Sequence, residues 1–176
     1  GLATPALLVL HRYWIADLGP LPVKEALLQV GLWAVRFLLL TLALTPVMRI
    51  LNWPKLALVR RMVGVGAFAY AALHVMLFIA NSKYDLAFVA TEILSRTYLT
   101  IGFVALAGLS VLAATSTDAA VRRLGHRWKQ LHRAVYVIAG LGLYHFFLQS
   151  KIDVSEATLM AGLFALLMIH RFAIRQ

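Results

Sequence analysis

Six histidines are the side chains of this sequence best suited to hold a redox metal. They are His11, His74, His126, His132, His145 and His170. His74 and His145 lie inside long apolar stretches and His132 lies at the start of one, at depths where a polar side chain is costly and usually has a function. The other three lie in a basic loop or near the ends of apolar stretches, where an interfacial location accounts for them. The candidate ligands are therefore His74, His132 and His145.

The absence of cysteine narrows the chemistry in which these histidines can take part. Without thiolates the chain has no disulfide, no iron–sulfur cluster and no cysteine-based zinc site. Any redox reaction must therefore come from a bound cofactor, and imidazole is a common axial ligand of haem iron. A single buried histidine is more often a hydrogen-bonded core residue, so the interpretation depends on how the three are placed.

The elements that position the histidines are predicted to be membrane-spanning helices. Of 176 residues, 62% are hydrophobic and the mean hydropathy is +0.83, which exceeds what a soluble core of this size needs. A bilayer core takes about 20 helical residues. The apolar stretches predict six helices, at 2–16, 26–49, 62–80, 97–115, 130–149 and 156–174. We therefore predict an all-α integral membrane bundle of about six transmembrane helices that forms a single domain over residues 1–176.

The chain begins at Gly1 within the pattern and without a charged leader, which indicates a truncated first helix rather than a signal peptide.

Basic residues in the loops predict the orientation of the bundle. The net charge of +10 falls mainly in alternate loops, as expected for the cytoplasmic side of a membrane protein rather than for a nucleic-acid surface. One set of loops holds Arg49, Lys55, Arg60, Arg61, Arg122, Arg123, Arg127, Lys129, Arg171 and Arg175, with Asp118 as its acid. The other set holds Lys24, Lys83, Arg96 and Lys151 with Asp17, Glu25, Asp85, Glu92, Asp153 and Glu156. Both termini are predicted to be cytoplasmic, and the third and fifth helices are predicted to run parallel toward the outside.

The depths of the candidate ligands predict two redox sites stacked across the membrane. His74 and His145 both fall in the outer halves of the parallel third and fifth helices, so they could share one iron. His132 lies 13 residues before His145, a rise of about 20 Å, and implies a second site nearer the cytoplasm. This spacing also rotates the side chain by about 220° on an ideal helix. We expect either a bend at Gly140 and Gly142 or haems on different sides of the helix.

Small residues near His74 provide a candidate slot for a flat macrocycle. Gly64, Ala67 and Ala71 share a helical face with His74, and Gly142 lies one turn before His145. Small residues serve helix packing in membranes equally well, so both interpretations stay open.

Five segments make the sequence similar to a known family. They are ALTPVMR at 43–49, RRMVGVGAFAYAALH at 60–74, SRTYLT at 95–100, TSTDAAVRRLGHRWKQLHRAVY at 115–136 and YHFF at 144–147. On these segments the sequence resembles the MsrQ family, formerly YedZ, within the ferric-reductase-like transmembrane superfamily. The resemblance covers nearly the whole chain.

The resemblance implies a b-type haem protein with a ferric-reductase-like fold, in which His74, His132 and His145 correspond to the family's histidines. Related oxidases hold each haem between one histidine from each of two parallel helices, with two histidines per helix. This chain has Arg60 and Arg61 where the fourth histidine would lie. The His132 site therefore holds either a second haem b with a weak or non-histidine second ligand or, in the alternative interpretation, FMN or a quinone.

Four arginines are candidates for binding anionic groups of these cofactors. Arg60, Arg61 and Arg133 flank the His132 site and suit haem propionates or a flavin phosphate, although positive-inside anchoring explains them as well. Arg36 lies about nine residues inside the second helix, where an unpaired charge is costly. We expect a haem propionate of the outer site as its partner, with snorkelling to the outer surface as the alternative.

Electron transfer is the function that the resemblance implies. The chain offers no nicotinamide-binding domain, since GVGAFA at 64–69 lies inside a predicted membrane helix. Electrons would then pass from a cytoplasmic flavin reductase or from quinol across the bacterial inner membrane to the periplasmic molybdenum-containing methionine sulfoxide reductase MsrP, which repairs oxidised proteins. The chain itself would have no catalytic site for methionine sulfoxide. A reductase of ferric iron or oxygen, and a small transporter or assembly subunit without haem, are the alternatives.

Overall fold

The computed structural model describes residues 1–150 and 154–173, apart from the side chain of Phe172. All regular secondary structure in these ranges is helical. The helices are α1 Thr4–Trp14, α2 Pro22–Ile50, α3 Leu56–Asn81, α4 Leu86–Ser95, α5 Thr97–Ala114, α6 Asp118–Leu124, α7 His126–His132, α8 Val135–Gln149 and α9 Ser155–Ala173. Three charged residues used above to orient the bundle, Lys151, Asp153 and Arg175, lie outside the described residues.

Four helical segments in the described part of the chain are long and apolar enough to cross a membrane. They are α2, α3, α5 and the stretch His126–Gln149, which comprises α7 and α8. In contrast, α1 has 11 residues and spans about 16 Å, roughly half the apolar thickness of a bilayer. The prediction of an all-α membrane bundle is confirmed; of the six predicted helices, those that correspond to α1 and α9 are not among these four segments of the described residues.

Short helices occupy segments that the sequence pattern predicts to be loops. At the start of α4 the Asp85 carboxylate accepts a hydrogen bond from the backbone N–H of Phe88 at 2.9 Å. At the start of α6 the Thr117 hydroxyl accepts one from the backbone N–H of Ala120 at 3.2 Å. Side-chain caps of this kind satisfy backbone donors that have no partner within the helix. They explain why these segments are helical although neither is long enough to span a bilayer.

The irregularity between the candidate ligands lies at Arg133 and Ala134. Their backbone N–H groups donate to carbonyls three residues earlier, at 3.2 and 3.0 Å, which tightens the turn between α7 and α8. In contrast, α8 runs unbroken through Gly140 and Gly142. The irregular turn between the two histidines thus lies close to His132, and the helix is continuous at the two glycines.

Two helix pairs form the centre of the bundle: α2 packs along α3, and α5 packs along α8. Val30, Ala67 and Ala139 are almost completely buried in this core. Large apolar side chains point outward elsewhere, for example Leu94 on α4 and Leu159 on α9. An exterior of this kind suits lipid rather than water. The space between the two helix pairs contains the candidate site.

Candidate functional site

His74 of α3 and His145 of α8 line one cavity, in which their rings lie close together. The ring centroids are 6.3 Å apart and the ring planes differ by 82°. A metal bound at about 2 Å from one nitrogen of each ring would place the centroids about 6 Å apart. The two imidazoles are therefore spaced to hold a single metal centre between them.

Hydrogen bonds fix the tautomer of both rings. Nδ1 of His74 lies 2.9 Å from the carbonyl oxygen of Leu27, and Nδ1 of His145 lies 2.7 Å from that of Tyr98. A carbonyl oxygen only accepts, so each Nδ1 donates its proton and each Nε2 keeps a lone pair. Histidines that bind metals are commonly oriented in this way by a backbone carbonyl. Both rings are thus prepared to act as Nε2 ligands.

Two glycines let these rings lie directly against helix backbone. A Cβ atom added to Gly31 of α2 would lie 2.6 Å from Nδ1 of His74, and one added to Gly102 of α5 would lie 2.7 Å from Nδ1 of His145. Both distances are below van der Waals contact, so any larger residue would displace the ring. Sequence reasoning missed these glycines, although their location in the middle of apolar helices was a signal.

The cavity around His74 and His145 has a volume of about 450 Å³ and a mainly apolar lining. Cofactor sites usually fall between about 300 and 1,000 Å³. Its few polar lining residues include Glu25, Gln29 and Glu156. A flat, largely apolar macrocycle with its metal between the two imidazoles fits this space and this lining.

The stripe of small residues next to His74 serves more than one purpose. Ala71 and Gly142 line the His74–His145 cavity, as the slot hypothesis requires. Ala67, however, has no exposed surface, and Gly64 lines a different cavity. Of the two interpretations left open by the sequence, the slot therefore suits Ala71 and Gly142, and helix packing suits Ala67.

A second cavity, of about 630 Å³, surrounds His132 and is strongly basic. Its basic lining residues are Arg49, Arg60, Arg61, Lys129, Arg133 and Arg171. Among the described residues, His132 is the one histidine that lines it. Leu38 and Leu109 line both cavities, so the two spaces adjoin at this pair of leucines.

Trp128 and Ser116 contact the ring of His132. It stacks on Trp128 at a centroid distance of 4.0 Å, and its Nδ1 lies 3.2 Å from the Trp128 carbonyl oxygen. Its Nε2 lies 3.5 Å from the hydroxyl oxygen of Ser116. The Trp128 indole N–H in turn donates to the Thr115 carbonyl at 2.8 Å. Sequence reasoning missed Trp128, which lies one helical turn before His132.

Three of the four candidate arginines have partners within the protein. Arg60 lies 3.3 Å from the hydroxyl of Thr45, and Arg61 donates to the carboxylate of Asp118 at 2.5 Å. This guanidinium holds the pKa of Asp118 below its usual range. Arg133 lines the basic cavity and is exposed.

Arg36 forms an ion pair with Glu156 at 2.5 Å, and its guanidinium lies 4.8 Å from the centre of the Trp33 ring. The charge in the second helix thus has an anionic partner that the sequence did not indicate. Because Glu156 also lines the His74–His145 cavity, a propionate there would have to share Arg36 with this carboxylate.

The remaining histidines line neither of the two cavities. His11 and His126 are exposed, and His170 lies at a small pocket beside Arg49 and Tyr136. Within the described ranges, no group of three or more histidine, cysteine or carboxylate side chains could hold a bare metal ion. A metal between His74 and His145 would therefore need its other ligands from a cofactor, as a porphyrin provides.

Two comparisons with known proteins show what this chain is similar to. Residues 30–143 match the family described as ferric reductase like transmembrane component. This range includes His74 and His132 and ends two residues before His145. The chain is also 41% identical over 162 residues to the protein-methionine-sulfoxide reductase heme-binding subunit MsrQ of Rhodospirillum rubrum. The aligned region covers 91% of this chain and 78% of that protein. No solved structure matches the chain significantly.

Proposed function

This chain belongs to the MsrQ family of the ferric-reductase-like transmembrane superfamily, and from this premise we propose that it is a b-type haem protein that transfers electrons across a membrane. The observation that carries the proposal is the pair of imidazoles at 6.3 Å, each with Nδ1 bound to a backbone carbonyl and Nε2 left as a ligand. Haem b, when bound, supplies a reversible one-electron couple.

In the proposal His74 and His145 would both bind the haem iron. Ligation by two imidazoles would favour outer-sphere electron transfer over binding of oxygen or substrate. The mainly apolar lining, together with the two histidines, would tune the reduction potential of the bound haem. The protein therefore positions and tunes the redox centre, while the centre itself supplies the redox chemistry.

We assign the basic cavity to a second redox group. His132 would ligate a second haem b, with Arg60, Arg61 and Arg133 binding its propionates through guanidinium hydrogen bonds. FMN and a quinone are the alternative occupants, since a flavin phosphate would use the same arginines. The haem-to-protein ratio separates these assignments: a value of two supports the second haem, and a value of one supports a different occupant.

The direction of electron flow follows from charge. The basic cavity lies among residues that the positive-inside rule assigns to the cytoplasm, so both termini would be cytoplasmic and His132 would receive electrons first. The donor would be a cytoplasmic flavin reductase or quinol. The acceptor on the other face of the bacterial inner membrane would be the periplasmic methionine sulfoxide reductase MsrP, where two electrons and two protons convert a sulfoxide to a thioether and water.

A difference spectrum of the purified protein tests the proposal. Reduction with dithionite should produce the absorption bands of low-spin b-type haem, and ferric protein should give the electron paramagnetic resonance signal of two axial imidazoles. A protein without haem bands would instead be a transporter or an assembly subunit. Rapid reoxidation by oxygen or ferric chelates without MsrP would favour the alternative of a ferric or oxygen reductase.

A further inference from the structure

We infer that α2–α3 and α5–α8 are two copies of one half-site, offset by 71 residues, in which Gly31 and Gly102 position the imidazoles of His74 and His145. The inference rests on the proposed haem function and adds two positioning residues to it. Each half-site would consist of a carbonyl, a glycine one turn later on the same helix, and a histidine on the next long helix.

The first support is that each component of the half-site occurs twice with the same spacing. Leu27 accepts from His74 and Tyr98 accepts from His145, and each pair is 47 residues apart. Gly31 and Gly102 follow their carbonyls by four residues, and each would clash with its histidine if it carried a Cβ. The same offset of 71 therefore relates the carbonyls, the glycines and the histidines.

The second support is the lining of the cavity between the half-sites. Twenty of its 26 lining residues form ten pairs at an offset of 71. Besides the glycines and the histidines, three of these pairs are identical: Leu28 with Leu99, Ala34 with Ala105 and Leu38 with Leu109. The cavity is therefore built from two equivalent surfaces, as a pseudo-twofold arrangement of parallel repeats would produce.

The third support is a compensated exchange of size at positions of the core. At the offset of 71, Phe37 corresponds to Gly108 and Ala67 corresponds to Ile138. The large residue of the pair therefore lies on the first helix in one copy and on the second helix in the other. A Cβ added to Gly108 would lie 2.8 Å from Ile138, so the fit of this pair is as close as that of glycine and histidine. Gly108 and Ile138 thus pack closely in one copy, and Phe37 and Ala67 are both buried in the core at the corresponding positions of the other.

The chemical role of Gly31 and Gly102 follows from these contacts. A histidine ring pressed against helix backbone and tied by its Nδ1 proton cannot rotate about its bond to the iron. The two copies then hold the ring planes nearly perpendicular, at 82°. Perpendicular axial imidazoles give low-spin ferric haem with an unusually large principal g value, which falls when the planes become parallel.

The test uses Gly31→Ala and Gly102→Ala in the full chain, with Gly108→Ala as the matched control. All three add a methyl group to a helix at a similarly close contact, but only the first two act on an imidazole. We expect each of the first two to weaken haem retention by about tenfold or more and to shift the principal g value. Gly108→Ala should lower thermal stability and leave the g value of the retained haem unchanged.

A measurement on the unmodified protein keeps the inference testable if an alanine variant fails to fold. The two half-sites hold the ring planes of His74 and His145 at 82°, so the ferric wild-type protein should show the large principal g value of perpendicular imidazoles. A principal g value typical of parallel imidazoles in this protein would overturn the positioning of the two rings by the two half-sites.

The outcomes separate this inference from the proposed function. Wild-type protein without haem would refute the function. Wild-type protein with bis-imidazole haem, together with Gly31→Ala and Gly102→Ala variants that keep its g values and its haem, would refute the positioning role alone.

Discussion

The two cavities adjoin between the same helices but differ in what faces the centre. In one, His74 faces His145 within an apolar lining. In the other, the offset of 71 places Arg61 at the position that corresponds to His132, within a basic lining. The two helix pairs thus contribute two imidazoles to one cavity, and one imidazole and one guanidinium to the other.

This difference indicates different functions for the two cavities, which lie at two levels of the bundle. Two imidazoles in an apolar space favour a closed redox centre that exchanges only electrons. One imidazole surrounded by fixed positive charge favours a group with anionic substituents, because guanidinium groups bind carboxylates and phosphates in preferred geometries. We therefore expect substitutions at the two levels to change different properties.

The largest expected effect is the loss of a centre at one level only. His74→Ala and His145→Ala should each remove the bis-imidazole haem, because an iron that loses an axial ligand in an apolar cavity is weakly held. His132→Ala should keep that haem and abolish its reduction from the cytoplasmic side. Haem content and reduction by the cytoplasmic donor measure the two effects, with His126→Ala as an exposed control. Equal haem loss in all three cavity variants would remove the distinction between the levels.

A substitution that makes the levels alike should have the next largest effect. Arg61→His places an imidazole at the position that corresponds to His132. We therefore expect a second bis-imidazole signal in the ferric spectrum. Arg60→His changes the neighbouring residue and serves as the control for register, since the offset does not align it with His132. A second signal in Arg60→His but not in Arg61→His would show that the offset is wrong in this cavity.

Removal of the ring beneath His132 should have a moderate effect at one level. Trp128→Ala deletes the stacked partner and its hydrogen bond to the Thr115 carbonyl. Aromatic pairs contribute about 0.5–1.5 kcal/mol, so occupancy of the basic cavity should weaken roughly two- to tenfold. Titration of haem into apoprotein measures this, with Trp128→Phe as the variant that keeps the stack. A change in the His74–His145 signal would contradict the separation of the levels.

The smallest expected effect concerns the ion pair at the edge of the basic cavity. The Arg61 guanidinium lowers the pKa of Asp118 below its ordinary value of 3.8, so the pair stabilises the fold above that pH and ceases to do so as the pH falls through the lowered pKa. Asp118→Asn should slightly lower Tm near neutral pH and have no effect in strong acid. Because the carboxylate is exposed, thermal unfolding at two pH values in low salt is the suitable measurement. A larger destabilisation in acid would contradict the assignment.

The depth of the histidines could be predicted from the sequence, and their surroundings could not. Helical rise alone places His74 and His145 at one level, and the structure brings their rings together. The carbonyls of Leu27 and Tyr98 are backbone groups of other helices, so no residue type identifies them in advance. Gly31 and Gly102 gain their meaning only from the ring against which each lies.

In the fold, too, features that depend on one segment could be predicted from the sequence, and features that depend on contacts between helices could not. The apolar stretches predicted the long helices because burial in lipid depends on composition. The break at Arg133 and Ala134, and the pairing of Arg36 with Glu156 120 residues away, depend on how helices meet in three dimensions. The repeat was hidden because few of its paired positions are identical, and it became visible once the cavities identified which residues correspond.

The leucines shared by the two cavities have a consequence for the speed of the proposed relay. Leu38 and Leu109 are the layer of side chains at which the two spaces meet. An electron crossing it would tunnel past these saturated side chains, without a mobile carrier or a hinge. The transit would then respond to the driving force between the two centres and hardly at all to the viscosity of the surrounding lipid.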